Sequence, residues 1–221
     1  MLFNECRAFI FDMDGVLVDS ENLYKIIEKE LFGEVGVTIS PEEHFSYQGC
    51  SNPVMWSRIK DKHGLTRSLD ELVQLTENKV IKHFNSLPEI LPMPGVVQLL
   101  NFLKSRGIHL ALASSSTIDV IRIVLAKSGL DLFFNTIADC TEAGAGKPDP
   151  AIFILARNKL GLSSDQCIVI EDSTNGINAA LAAGMFCIAY NGPGSEHQDQ
   201  SAAHLVIRDF SEIMDYFTNN I

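Results

Sequence analysis

The sequence predicts an α/β protein with a largely parallel sheet and one inserted all-helical module. Three observations carry this. Short apolar runs recur as candidate buried strands, helical patterns separate them in alternation, and one stretch after the first run holds helical patterns but no convincing strand.

The candidate strands are residues 8–11 (AFIF), 109–113 (HLALA), 136–138 (TIA), 167–170 (CIVI) and 186–189 (FCIA). Between them, GVVQLLNFLKSRG (95–107) has helical spacing and a Gly stop. TIDVIRIVLAKSG (117–129) opens on a Thr cap and ends likewise. DPAIFILARNKLG (149–161) places Asp at the N-cap and Pro at the first helical position, and STNGINAALAAG (173–184) begins with hydroxyls and closes on Gly. This alternation predicts βαβ units with right-handed crossovers. From residue 18 to 87 the pattern is helical, with candidates at 21–32, 53–62 and 69–84. EVGVTISPEEH (34–44) and YQGCSNP (47–53) read as connections, and SLPEILPMPG (86–95), with three prolines, as a stiff return. The expected division is a discontinuous core of residues 1–17 and 88–221 with a helical cap of 18–87.

A chain of 221 residues, 46% hydrophobic and 20% charged, has the material for one sizeable domain carrying a smaller insert. Its 17 Lys+Arg against 28 Asp+Glu give a formal charge of −11, which repels nucleic acid and anionic membrane. Cys6, Cys50, Cys140, Cys167 and Cys187 are odd in number, scattered and without a C-x-x-C pair, which favours a reducing cytoplasm over a disulfide framework or a zinc site. MLFNECR carries charge where a signal peptide needs an apolar run, and the near-apolar stretch 179–190 is too short to span a bilayer. A cytoplasmic protein is expected, with a small-molecule partner and a monomeric state favoured.

In an open parallel sheet, ligands sit beyond the carboxyl ends of the strands. Four polar clusters fall at that level. Asp12 and Asp14 follow the first strand, with i, i+2 spacing that turns both to one side. Ser114, Ser115 and Ser116 precede a helix start, a natural anion seat. Lys147 stands in GAGKPDP, and Glu171 and Asp172 follow CIVI. Each has a plainer explanation alone: an Asp-Gly turn, a helix cap, a solvated lysine, acids at a helix dipole. Together, three acids or more, hydroxyls and one cation at successive strand ends are costly to assemble unless a charged ligand holds them.

That inventory matches phosphoryl transfer. Neighbouring carboxylates bind a hard cation, and Mg²⁺ with its oxygen preference suits phosphate substrates. Asp12 as nucleophile would form an aspartyl phosphate. Asp14 would protonate the leaving oxygen and then activate water. Ser114, Ser115 and nearby amides would hold the phosphoryl oxygens, Lys147 would offset charge, and Asp172, helped by Glu171, would complete the Mg²⁺ shell.

The segments DMDGV, LALASSS, GKPDP and IEDSTNGINAA, in that order, resemble the four motifs of the haloacid dehalogenase-like hydrolases. Within that family the chain looks like the beta-phosphoglucomutase-like phosphatases with a helical cap inserted after the first motif. The resemblance implies a Rossmann-like three-layer core, Mg²⁺ dependence and the roles above for Asp12, Asp14, Ser114, Lys147 and Asp172, with the Asp14 backbone carbonyl as a metal contact. It also implies that the chain is no true dehalogenase, since those relatives lack the second aspartate.

The sugar-phosphate mutases of the family carry an arginine after a Gly-x-Ser in the cap loop and a histidine in the first cap helix. GCSN offers Asn52 instead, and Tyr24 stands at the helix position. Hydrolysis is therefore favoured over mutase chemistry, with Gly49 and Asn52 as candidate cap residues facing substrate. Arg58, Lys60 and Lys62 read as surface helix charge, and the six histidines, lacking ligand spacing, receive no role. Hinges are expected at 18–20 and 88–94, letting the cap close over the site. The alternatives are a phosphorelay receiver-like switch, which the helical insert and Asp14 oppose, and an idle scaffold.

Overall fold

Strand β1 (Ala8–Phe11) lies at the centre of a six-stranded sheet of order β3-β2-β1-β4-β5-β6, every pair parallel. The computed structural model describes residues 5–219, without the side chains of 21, 22 and 219; residues 1–4, 220 and 221 of the expected core lie outside the described residues. The other strands are β2 (His109–Ser114), β3 (Thr136–Asp139), β4 (Cys167–Glu171), β5 (Phe186–Tyr190) and β6 (Leu205–Ile207). All four residues of β1 are fully buried, because helices cover both faces. Alternation along the strand sends Phe9 and Phe11 to one face, with Leu110, Leu112, Ile168 and Ile170. Ala8 and Ile10 face the other way, into a small-residue layer with Ala111, Ala113 and Val169.

The ten helices of the described residues are α1 (Glu21–Val35), α2 (Pro41–Phe45), α3 (Asn52–His63), α4 (Leu69–Ser86), α5 (Val96–Ser105), α6 (Ile118–Ser128), α7 (Cys140–Ala143), α8 (Ala151–Leu160), α9 (Thr174–Ala182) and α10 (Ser211–Asn219). Helices α8 and α9 pack on the alanine-rich face through Ile152, Phe153, Ile177 and Ala180; α5, α6 and α10 serve the other. Asp149 accepts from Ala151 N at 2.9 Å while Pro150 already has helical φ and ψ, so the first turn of α8 is capped by the aspartate.

Helices α1 to α4 all fall between β1 and β2. Trp56 is fully buried there, its indole N–H donating to Thr76 Oγ1 at 2.7 Å. Helix α4 opens with a capping box between Ser68 and Glu71. Lys60 donates to the Leu65 carbonyl, Lys62 pairs with Glu43, and Arg58 reaches the Ser46 carbonyl, so these cations brace the helices.

Several elements, α7 among them, depart from the sequence reading. Helix α2 occupies a segment whose sequence reads as a connection; Ser40 accepts from Glu43 N and Pro41 opens the helix, a start signal hidden by its five-residue length. Strand β6 is a three-residue edge with Val206 exposed, too short to show a period. Helix α10 buries Ile213 and Phe217, one turn apart, and is started by Asp209, which accepts from Ser211 N, and Glu212, which accepts from Arg208 and Asp209 N. Helix α1 also runs one turn past the expected 32, through Gly33, to a left-handed cap at Gly36.

Candidate active site

The parallel order brings the carboxyl ends of β1, β2, β3 and β4 to one edge, and every candidate core residue lies there. Asp12 follows β1, its amide donating to the Ile170 carbonyl at 3.0 Å. The chain then turns back: Gly15 N donates to Val18 O, and Leu17 N to Met13 O. Gly15 has φ +79°, and a Cβ there would stand 2.2 Å from Asp172 Oδ2, so the turn requires glycine.

Lys147 is fully buried between the strand ends. Its ammonium donates to Asp12 Oδ1 at 2.5 Å, Glu171 Oε1 at 2.5 Å and the Ala113 carbonyl at 3.3 Å, which uses all three of its protons. Glu171 Oε2 accepts from Asp172 N, Ser173 N and Ser173 Oγ at 2.9–3.0 Å. Glu171 therefore seats Lys147 on one side and fixes the β4–α9 loop on the other. Helix α9 approaches so closely that a Cβ on Gly176 would lie 1.8 Å from Glu171 Oε1.

Asp12, Glu171 and Asp172 each present a carboxylate oxygen within 4.8 Å of the others, all buried. The Asp14 side chain stands outside that cluster, accepting from Ser20 Oγ at 2.5 Å and Ser116 Oγ at 3.3 Å. Burial pushes the Asp12 carboxyl up to about 8; Lys147 opposes this, but Glu171 and Asp14 reinforce it. Burial likewise raises Asp14, against the hydrogen bonds from Ser20 and Ser116. Burial works against the Lys147 ammonium too, yet Asp12 and Glu171 outweigh it and hold the lysine above its ordinary range. One buried cation against this many acids leaves excess negative charge, and hard oxygen donors at this spacing fit a divalent cation such as Mg²⁺.

The hydroxyls of the second cluster divide. Ser114 is fully buried, and its Oγ accepts from Ser116 N at 3.1 Å. Ser115 Oγ donates to the Gly49 carbonyl at 2.8 Å, which ties the turn after α2 to the end of β2. Tyr24 OH and Ser116 Oγ share a hydrogen bond at 3.0 Å.

These residues open on a cavity of about 90 Å³ whose lining includes Asp12, Asp14, Asp172, Ser115 and, from the helical insert, Gly49 and Asn52. Ser114, Lys147 and Glu171 lie behind it, off its surface. Several lining residues escaped the sequence reading. His44 pairs with Glu28 on another helix, Gln48 Nε2 donates to Asp172 Oδ2 at 3.4 Å, and Glu77 on α4 closes the far wall. Only the fold joins these positions, so no spacing along the chain announces them.

The fold and site define an α/β protein with a buried acidic centre at the carboxyl ends of a parallel sheet. A family model for the haloacid dehalogenase-like hydrolases matches residues 6–184, and the chain belongs to that family. It is 30% identical over 183 residues to the Phosphorylated carbohydrates phosphatase of Thermotoga maritima, covering 81% of this chain and 82% of that one. It is 31% identical over 214 residues to Protein SUPPRESSOR OF QUENCHING 1, chloroplastic, of Arabidopsis thaliana, covering 94% of this chain but 20% of that longer protein. The crystal structure of beta-phosphoglucomutase from Clostridium difficile superposes with a TM-score of 0.83 at 28% identity, covering 97% of this chain and 96% of that one. Membership of a hydrolase family sets aside the receiver-like switch. Among the described residues, no helix is long and apolar enough to cross a membrane.

Proposed function

We propose that the chain is a Mg²⁺-dependent phosphatase that hydrolyses a small phosphorylated metabolite, a sugar monophosphate, through an aspartyl phosphate on Asp12. The observation that carries this is the buried Asp12 carboxylate at the cavity floor, held through one oxygen by Lys147 and grouped with Asp172 and Glu171. The Thermotoga relative's name, a phosphatase of phosphorylated carbohydrates, supports the substrate class.

In the first step an Asp12 oxygen attacks phosphorus, the ester P–O bond breaks, and Asp14 gives its proton to the leaving alkoxide. The raised Asp14 carboxyl, steadied by Ser20 and Ser116, suits a group that must begin protonated. In the second step Asp14 takes a proton from water as that water attacks the phosphoryl group, and the P–O bond to Asp12 breaks. Ser115, on the cavity wall, with neighbouring amides would hold the phosphoryl oxygens, while Ser114 and Lys147, behind the wall, would act by keeping Ser116 and Asp12 in place. The residues for Mg²⁺ are Asp12 and Asp172, with Glu171 beside them and the Asp14 carbonyl, and the ion's charge would keep Asp12 ionised and offset the phosphoryl oxygens. Residues 1–17 and 88–221 act as the catalytic core and 18–87 as the cap, in a reducing cytoplasm that suits five free cysteines.

A mutase is the second reading, favoured by the likeness to beta-phosphoglucomutase. It needs a cap cation for a second phosphate. Among the described residues, the lysines and arginines lining the cavity reduce to Lys25, while Glu28 and Glu77 also line it, and Asn52 and Tyr24 are neutral. That balance favours hydrolysis of a monophosphate.

The test is Mg²⁺-dependent phosphate release from a panel of sugar monophosphates, a hexose bisphosphate and a generic aryl phosphate. Multiple turnovers, abolished by Asp12→Asn and cut roughly 10²–10⁴-fold by Asp14→Asn, are expected. Full turnover in Asp12→Asn refutes the covalent route; interconversion of hexose phosphates exceeding hydrolysis favours the mutase.

A further inference from the structure

The turn after α2, residues 45–49, reaches across from the helical insert to the strand ends, and two amide side chains of the core grip it. Asn175, in the first turn of α9, donates through Nδ2 to the Ser46 carbonyl at 3.1 Å and the Gln48 carbonyl at 2.8 Å. Gln198, between β5 and β6, donates through Nε2 to the Phe45 carbonyl at 3.1 Å and to Gln48 Oε1 at 2.9 Å. Its own Oε1 accepts from Thr174 N at 2.9 Å. Gln198 thus bridges the start of α9, two residues past Asp172, to the turn. Phe45 stacks on His197, with ring centroids 4.1 Å apart.

We infer that Asn175 and Gln198 are positioning residues that clamp the 45–49 turn over the acidic centre and set which end of the Gln48 amide meets Asp172. An amide side chain has one donating and one accepting end. Because Gln198 donates to Gln48 Oε1, the Gln48 NH₂ is the end turned to Asp172 Oδ2, at 3.4 Å, and to the Gly194 carbonyl, at 3.3 Å. The opposite orientation would set a carbonyl oxygen against a carboxylate. The next residue, Gly49, has φ +77°, and a Cβ there would stand 2.2 Å from Ser173 Oγ, so the clamped turn sits against the β4–α9 loop at a distance that only glycine allows. Substrate admission and product release then require these amide contacts to break. The inference deepens the phosphatase reading, since the clamped turn roofs the cavity in which that chemistry is placed.

Cys50 follows the turn and lines the cavity, whereas Cys140 lines the neighbouring one, so thiol labelling reports opening without any turnover. The experiment times modification of each cysteine of the whole chain by an aryl disulfide reagent, resolved by peptide mass, in wild type, Asn175→Ala and Gln198→Glu. Gln198→Glu keeps the acceptor for Thr174 N but loses both donors to the turn. Cys50 is expected to label on the order of tenfold faster in both variants, with Cys140 at its wild-type rate. Cys50 labelling within twofold of wild type in both variants overturns the clamp. So does equal acceleration at Cys140, which would mean general loosening. Loss of the phosphatase reading would show instead as absent turnover in the unmodified wild type.

Discussion

Replacing Lys147 by methionine keeps the length of the buried stem and removes the charge. The three groups it serves, Asp12 Oδ1, Glu171 Oε1 and the Ala113 carbonyl, are all buried. Breaking a buried ion pair from one side costs about 3–5 kcal/mol, and the carbonyl left without its donor adds about 1 kcal/mol. For a chain of this size roughly 2–4 °C of Tm goes with each kcal/mol, so a fall of about 8–24 °C is expected in metal-free protein at pH 8. The loss also has a sign in pH. Asp12 already titrates near 8 when folded, against 3.8 ordinarily, so the stability tied to its bound proton is complete below 3.8 and is lost as pH rises through 8. Without Lys147, which opposes that rise, the folded value climbs further, so protonation spares more of the variant's stability at pH 5 than at pH 8. Thermal unfolding followed by far-UV circular dichroism in a chelator, at both pH values, measures this. A fall under about 3 °C at pH 8, or a larger deficit at pH 5 than at pH 8, would show that Lys147 is not the charge on which the acidic cluster depends.

Two further outcomes are expected. Mg²⁺ should raise the Tm of the wild type more at pH 8 than at pH 5, because a cation between Asp12 and Asp172 binds the ionised carboxylates and displaces the Asp12 proton; calorimetric titration in buffers of different ionisation heat should show proton release, and a pH-independent shift would remove the metal from Asp12. Gly15→Ala should cost about 1–2 kcal/mol from the left-handed backbone alone and weaken Mg²⁺ binding through displacement of Asp172, which urea unfolding and the same titration separate; wild-type affinity in that variant would mean the Asp172 carboxylate is free to move.

The core was legible because its signals are local. AFIF, CIVI and HLALA are buried runs that only a covered strand satisfies, and the Gly and Pro punctuation between them sets the helix ends. The acids and serines at strand ends followed from the parallel order, since the same step of chain that ends a strand delivers them to one edge, whereas Lys147 reaches that edge from the loop beyond α7. The short elements were harder to see. Helix α2 and helix α10 carry proper start residues, Ser40 and Asp209 with Glu212, but each buries too few side chains to show a period. The three residues of β6 form only because β5 offers an open edge.

Which residues share a strand end is a matter of neighbours in the chain, so the sequence by itself determined the α/β alternation, the helical insert and the set Asp12, Asp14, Ser114, Ser115, Lys147, Glu171 and Asp172. How those side chains divide their hydrogen bonds depends on distances across the fold, between residues that range from six to more than a hundred positions apart in the chain. Tertiary structure alone decided that Lys147 spends its protons on Asp12, Glu171 and Ala113, that Asp14 turns to Ser20 and Ser116, and that Asn175 and Gln198 hold the turn carrying Gln48. Periodicity encodes which face of an element is buried; it carries no record of which polar atom meets which across the fold.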